Sequence, residues 1–191
     1  SIKTVLRQSA DTPDRDEAGF NPARDFAAIA RVEGASALFE QKLAELQARY
    51  STPRYIVSTN GVPSSSFADL SAFLDLLAAR NIRVYMFSNP LHIRFWELMD
   101  EKGHSHLYGD WLQLMRRILA DRDPDMVQFW EFSSQDSSYI REPLPETGAG
   151  GEPLKWFWEP AHYRRELGDL MVESMLAPQC GSTPAFGRQL F

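Results

Sequence analysis

A carboxylate and an imidazole stand three residues apart near the C-terminal end of the chain. Glu159 is followed by Pro160, Ala161 and His162, and three aromatic residues lead into the group. If Pro160 starts a helix, this spacing places Glu159 and His162 on one side of its first turn. A carboxylate that holds an imidazole supplies two of the three members of a hydrolytic triad. The stretch is therefore a candidate for hydrolytic chemistry that still lacks a nucleophile.

A purely structural interpretation of these residues stays open. Proline is common at the first helical position, and the helix dipole favours a carboxylate near the amino end. Glu159 would then be a helix-entry residue, and His162 would be an ordinary residue of the first turn. Because short matches to such a spacing arise easily, the spacing alone does not choose between the two interpretations.

Composition excludes several classes of function. The chain has 191 residues, of which 43% are hydrophobic and 24% charged, which is typical of a globular domain with or without an appendage. Its formal net charge of −6 argues against nucleic acid as a partner, since binding needs a basic face. No apolar run has the length of a membrane span. The single cysteine allows no internal disulfide, the histidines show no zinc-site spacing, and no Gly-rich phosphate loop is present. We therefore predict no metal and no cofactor.

Hydrophobic periodicity predicts alternating helices and short strands. Strands are expected at 54–59, 83–88 and 126–132, and helices at 23–50, 67–80, 91–101, 105–121 and 164–176. A helix that leads directly into a buried strand favours βα alternation and a parallel sheet. Gly34 is expected to divide the first helix. Residues 1–22 are predicted to be a loop or lid, 23–177 the α/β domain, and 178–191 a loosely ordered tail.

Two polar residues follow the strand predicted at 83–88. Asn89 comes directly after it, and His92 lies three positions further on. In open α/β sheets, ligands bind outside the carboxyl ends of the strands. Asn89 and His92 are therefore candidate substrate-binding residues. A local role stays open, with Asn89 as a helix cap, Pro90 at the first helical position and His92 in the first turn.

Tryptophans near predicted loops offer a second kind of site. Trp130, Trp156 and Trp158 could form a stacking platform for a carbohydrate, and Trp158 directly precedes Glu159. Packing in the core is the alternative for each of them. Such a binding module would need no serine chemistry. A third possibility is a structural partner domain that uses the helix at 23–50 as its interface.

The C-terminal motif resembles the end of one known family. Glu159-Pro160-Ala161-His162-Tyr163-Arg164, followed by Leu167-Gly168-Asp169-Leu170, is similar to the last block of SGNH/GDSL-type hydrolases. The resemblance is greatest to poorly characterised bacterial envelope members, in which a D-x-x-H-[YF] … G-D block begins the last helix. The strands at 82–92 and 126–133 also resemble strands of this family, so the resemblance spans residues 67–177.

The resemblance implies a flavodoxin-like, three-layer α/β/α fold with a mainly parallel sheet. It also implies a Ser-His-Asp/Glu triad that cleaves or transfers an O-acyl group, with His162 as general base and Glu159 as its orienting carboxylate. Asn89, His92 and Trp158 would then contact an acyl-ester or glycan substrate. The resemblance implies a periplasmic or envelope location, while the sequence itself leaves a cytoplasmic one open. The alternative is a non-catalytic glycan-binding or assembly domain of the same fold.

The chain departs from the family pattern in two places. The family usually has Asp where Glu159 stands, and Glu can take that role if the backbone lies one methylene further away. The family's G-D-S nucleophile block and G-x-N-D oxyanion block are absent. Because the chain begins at Ser1 without a methionine, we expect the first strand, the nucleophilic serine and any membrane anchor to lie outside it. The chain alone is then expected to be inactive, and its oligomeric state is not predicted.

Overall fold

The computed structural model describes residues 15–17, 19–58, 61–146, 151–181 and 183–191. These ranges contain six α-helices, a three-stranded mixed sheet and a separate two-stranded hairpin, so the chain is a mixed α/β protein. The helices are α1 (Arg24–Val32), α2 (Ala35–Arg49), α3 (Ser65–Ala79), α4 (Ile93–Glu101), α5 (His106–Leu119) and α6 (Arg165–Leu176). The strands are β1 (Val84–Ser88), β2 (Val127–Glu131), β3 (Phe157–Glu159), β4 (His162–Tyr163) and β5 (Arg188–Gln189).

Local chain chemistry sets the helix boundaries. Gly34 adopts a φ of 93°, which glycine tolerates far better than other residues, and it separates α1 from α2 as predicted. At the start of α3, the Ser64 hydroxyl accepts a hydrogen bond from the Ser66 N–H. Serine is one of the preferred residues at this capping position.

The strands β1 and β2 lie side by side and parallel, with Val84 opposite Val127. Two predicted strands and their parallel relation are thereby confirmed. Successive side chains of β2 enter two different hydrophobic clusters. Val127 and Phe129 pack with residues of α3 and α5, whereas Trp130 packs with residues of α2, α4 and α6. This alternation follows from the two-residue period of a strand and buries the centre of the sheet.

The segment predicted as a strand at 54–59 does not join the sheet. Val57 forms one isolated bridge, to Pro63, and the Ser58 N–H donates to the Val62 carbonyl at 2.8 Å. Position 59 lies outside the described residues. The segment pairs with the chain that returns immediately after it, and these local hydrogen bonds replace pairing with β1.

Residues 186–189 pack on the sheet, within the tail that the sequence predicts to be loosely ordered at 178–191. The strand β5 pairs antiparallel with β2, and the Arg188 guanidinium donates to the buried Glu131 carboxylate at 2.6 Å. Phe186 is 3% exposed and packs against Phe132, with ring centroids 5.0 Å apart. A buried carboxylate needs a cationic partner, and an aromatic anchor gains by burial. These two contacts order the tail despite its glycines and prolines.

The loop or lid predicted at 1–22 is described only in part, because residues 1–14 and 18 lie outside the described ranges. Residues 19–23 follow an irregular path. The Phe20 N–H donates to the Asp16 carboxylate at 2.8 Å. The Arg165 guanidinium, at the start of α6, lies 5.8 Å from the centroid of the Phe20 ring. This segment therefore reaches the C-terminal helix and can form part of a site there.

Candidate functional site

The stretch around Glu159 and His162 is a β-hairpin. Glu159 ends β3, His162 begins β4, and Pro160 and Ala161 make the turn between them. Proline suits the second position of a β-turn because its φ is already fixed near the required value. The helix α6 begins three residues after His162, so the prediction that the two residues share a helical first turn is wrong. The aromatic run before Glu159 is extended and pairs with Tyr163, which leaves no helix start there.

The hairpin nevertheless brings the predicted pair into contact. Nδ1–H of His162 donates to one oxygen of the Glu159 carboxylate, and the other oxygen accepts the Ala161 N–H at 3.1 Å. The Glu159 side chain is 3% exposed, whereas the His162 side chain is 74% exposed. Nε2 of His162 has no hydrogen-bond partner within the described ranges. A fixed, buried carboxylate thus orients an imidazole whose second nitrogen stays accessible.

The carboxylate also sets the electrostatics of the imidazole. The hydrogen bond to Glu159 raises the pKa of His162 above its ordinary 6.5, while partial burial and the charge of Lys42 act in the opposite direction. A carboxylate on Nδ1 stabilises the imidazolium that forms when Nε2 accepts a proton. The pair can therefore act as a general base, with the proton held at Nε2.

The residues after β1 hold the hairpin turn. The His92 N–H donates to the Pro160 carbonyl at 3.0 Å, and the Asn89 side chain donates to the Ala161 carbonyl at 3.4 Å. The Glu159 and His162 pair therefore lies beyond the carboxyl end of β1, where open α/β sheets bind ligands. Asn89 is exposed beside the pair and stays a predicted substrate-binding residue.

The His92 side chain belongs to the core and not to an open site. It is 1% exposed and lies between the rings of Phe39 and Phe157, at centroid distances of 4.9 Å and 5.2 Å. Nδ1 caps α4 by accepting the Arg94 N–H at 3.2 Å, and Nε2–H donates to the Glu142 carbonyl at 2.8 Å. Because both ring nitrogens have partners within the protein, the predicted substrate contact is replaced by a helix cap.

We expect His92→Ala to lower the free energy of unfolding by about 2–4 kcal/mol. The substitution removes a helix cap and leaves the partly buried Glu142 carbonyl without its donor. Urea denaturation followed by circular dichroism measures the loss. Asn89→Ala removes one long hydrogen bond, of 3.4 Å, that an exposed side chain of the same loop makes; it is the matched control and should cost no more than about 1 kcal/mol. An equally small effect at His92 would contradict the capping role.

His92 and His162 make the free energy of unfolding depend on pH in opposite directions. Burial lowers the pKa of His92, so the unfolded chain takes up a proton before the folded chain does. The stability that His92 contributes is therefore complete above 6.5 and is lost as the pH falls through its lowered pKa. The pKa of His162 is raised, so its contribution is complete below 6.5 and is lost as the pH rises through its native pKa.

A groove of about 600 Å³ opens beside His162. Residues 20–23, Phe26, Ala27 and Arg31 form one wall, while β4 and the first residues of α6 form the other. Trp158 is half-buried in this groove; the Arg164 guanidinium lies 4.7 Å from its ring centroid, and Phe26 meets it edge-on at 6.4 Å. Trp158 therefore lines the groove beside His162 and stays a predicted substrate-binding residue. The other tryptophan platform members do not line the groove, and Trp130, at 1% exposure, is a core residue.

Gly168 gives a physical reason for the glycine of the C-terminal motif. A Cβ atom at this position would stand 3.1 Å from Cε2 of Tyr163, which is closer than side chains normally approach. Glycine thus allows the hairpin to pack directly against α6. The position of His162 beside the groove depends on this packing.

Sequence reasoning missed the wall of the groove that faces the hairpin. Phe20, Phe26 and Arg31 are distant in sequence from Glu159 and carry no recognisable motif. One signal was present, because Phe20 is a large aromatic residue in a polar, turn-rich segment. Its ring is 42% exposed in the structure.

A comparison with family models, with curated proteins and with solved structures finds no match. Among the described residues, no three His, Cys, Asp or Glu side chains cluster in a way that could hold a metal ion. No helix in the same ranges combines the length and the apolar character that crossing a bilayer demands.

Proposed function

We propose that this chain is part of an SGNH-like O-acyl esterase or acyltransferase that acts on an envelope or glycan acyl ester. The contact between Glu159 and His162 carries the proposal, because a buried carboxylate fixes Nδ1 of an exposed imidazole beside a groove. A flavodoxin-like fold and an envelope location are part of the same proposal. The parallel strands β1 and β2, with the pair beyond the carboxyl end of β1, support the fold.

In the proposed reaction, a serine hydroxyl attacks the acyl carbonyl while Nε2 of His162 accepts the hydroxyl proton. The Glu159 carboxylate stabilises the imidazolium, which then returns the proton to the leaving alcohol oxygen. Water, or the hydroxyl of an acceptor in a transferase, attacks the acyl-enzyme with help from the same base and frees the serine. Within the described part of the chain no serine hydroxyl is bonded to Nε2. As part of the same proposal, the nucleophile is a serine in a segment outside this chain.

Fluorophosphonate labelling of the full-length protein tests this proposal. We expect an adduct on one serine, which mass spectrometry locates. His162→Ala should label at least about 100-fold more slowly, because the serine loses its general base. His106→Ala removes another exposed histidine, outside the groove, and is the matched control. Equal labelling of His162→Ala and wild type would reject the catalytic role, as would a folded full-length protein that does not label.

A non-catalytic glycan-binding or assembly domain is the second candidate. The aromatic lining of the groove favours it, because Phe20 is partly exposed and Trp158 is half-buried there. Flat aromatic surfaces of this kind can stack against the apolar face of a sugar ring. This candidate predicts saccharide binding without any serine adduct, so the labelling experiment separates the two.

A further inference from the structure

The groove beside His162 is cationic on a protein that is acidic overall. Arg31, Arg164 and Arg165 line it together with one carboxylate, that of Glu166, whereas the whole chain has a net charge of −6. A local excess of guanidinium groups in a concave site favours an anionic ligand. The positive charge of the groove therefore favours anionic ligands over cationic ones.

Two of the three guanidinium groups are available to a ligand. Arg31 is exposed and has no ion pair or hydrogen bond within the described ranges. Arg165 meets Asp169 at 3.5 Å, but both side chains are more than 60% exposed, and such a pair is weak. Arg164 is already engaged, because it stacks over Trp158. Arg164 therefore shapes the groove, while Arg31 and Arg165 can each pair with an anion.

Aromatic surfaces lie next to these cations. Phe20 is 42% exposed, and the Arg165 guanidinium lies 5.8 Å from its centroid. Trp158 and Phe26 form the adjacent part of the lining. The volume of about 600 Å³ lies within the range of roughly 300–1,000 Å³ that is usual for small-molecule sites. A ligand with a flat, partly apolar ring and an anionic group fits this combination.

The amino end of α6 adds to the same preference. Arg164 occupies the capping position without a side-chain cap, and the first residues of α6 lie in the groove. The unpaired N–H groups of a first helical turn and the helix dipole both favour negative charge. The amino end of α6 therefore favours an anionic ligand, as the guanidinium groups do.

We infer that the groove binds a saccharide bearing a carboxylate, so that the acyl ester presented to His162 belongs to an acidic glycan. The inference deepens the proposed function and rests on it for the acyl chemistry, whereas the binding step rests on the groove alone. The carboxylate pairs with Arg31 and Arg165, and the sugar ring lies along Phe20 and Trp158. An acyl group on a ring hydroxyl then lies within reach of Nε2.

Titration calorimetry with oligogalacturonate tests the inference, with a malto-oligosaccharide of equal length as the neutral probe. We expect the full-length protein to bind the acidic probe at least about tenfold more tightly, and to bind it less tightly as salt is added. The double variant Arg31→Gln/Arg165→Gln should lose about tenfold in affinity for the acidic probe and keep its far-ultraviolet circular dichroism. Arg83→Gln, at an exposed arginine outside the groove, should bind like wild type.

Equal binding of the two probes, or an unchanged affinity in the double variant, would overturn the inference. Labelling separates this result from the proposed function. Preference for the acidic probe in a protein that forms no serine adduct would keep the inference about the groove and reject the hydrolase. A serine adduct that depends on His162, without a preference for the acidic probe, would keep the hydrolase and reject the inference about the groove.

Discussion

Glu159→Gln is expected to lower the pKa of His162 towards its ordinary value and to reduce acyl-ester turnover by the full-length protein by about 10⁴-fold. The amide keeps the shape of the side chain and an oxygen that can accept the Ala161 N–H. It loses the negative charge that stabilises the imidazolium and holds Nδ1 protonated. Nuclear magnetic resonance titration of the histidine ring protons measures the first effect, and hydrolysis of a chromogenic acyl ester measures the second.

Two controls belong to this experiment. Glu173→Gln removes an exposed carboxylate of α6 that does not line the groove, and it should leave the pKa of His162 and the turnover nearly unchanged. His92, whose pKa is lowered by burial, serves as an internal reference and should titrate alike in wild type and Glu159→Gln. A pKa of His162 that stays raised in Glu159→Gln would contradict the electrostatic role of the carboxylate. Unchanged turnover with a lowered pKa would reject the catalytic role alone.

Gly187→Ala is expected to lower the free energy of unfolding by about 2–5 kcal/mol. Gly187 has a φ of 73°, a conformation that disfavours any residue with a Cβ atom. The added Cβ would also overlap the Phe132 ring and stand 2.9 Å from the Glu131 carbonyl oxygen. That carbonyl belongs to β2 and cannot withdraw without disturbing the pairing of β2 with β5. The urea concentration at the unfolding midpoint measures the effect.

Gly181→Ala is the matched control for the backbone contribution. Gly181 has a similar φ of 69°, and a Cβ there would meet no atom within 4 Å. Gly181→Ala should lower the free energy of unfolding by only about 1–2 kcal/mol, which is the cost of a left-handed conformation for a residue with a Cβ atom. If both variants lose the same stability, the close packing of Gly187 against Phe132 contributes nothing, and the ordering of the C-terminal residues needs another explanation.

The sequence by itself determined the helices and the two central strands. Each of these elements is encoded within a few neighbouring residues, either by the periodic spacing of its apolar residues or by the residue at which a helix begins or ends. Gly34 divided the first helix where its position predicted, and the apolar runs at β1 and β2 became parallel neighbours. Local patterns suffice for such elements because the interactions that start, stop and orient them are themselves local.

The contact between Glu159 and His162 was predictable, but the backbone that makes it was not. A separation of three residues brings two side chains together in the first turn of a helix and also across a two-residue β-turn. The spacing therefore could not distinguish the two conformations. The choice came from pairing of Phe157 with Tyr163 across the hairpin and from a tertiary contact, in which the His92 N–H holds the Pro160 carbonyl.

Only the tertiary structure decided which residues surround the pair. His92 follows a strand end in sequence, yet it caps a helix between two aromatic rings. The tail had the composition of a loose end, but Arg188 pairs with the buried Glu131 carboxylate. The aromatic and cationic wall of the groove comes from a part of the chain far from the hairpin. No local sequence pattern could predict these contacts, because each depends on where distant segments pack once the sheet and helices have formed.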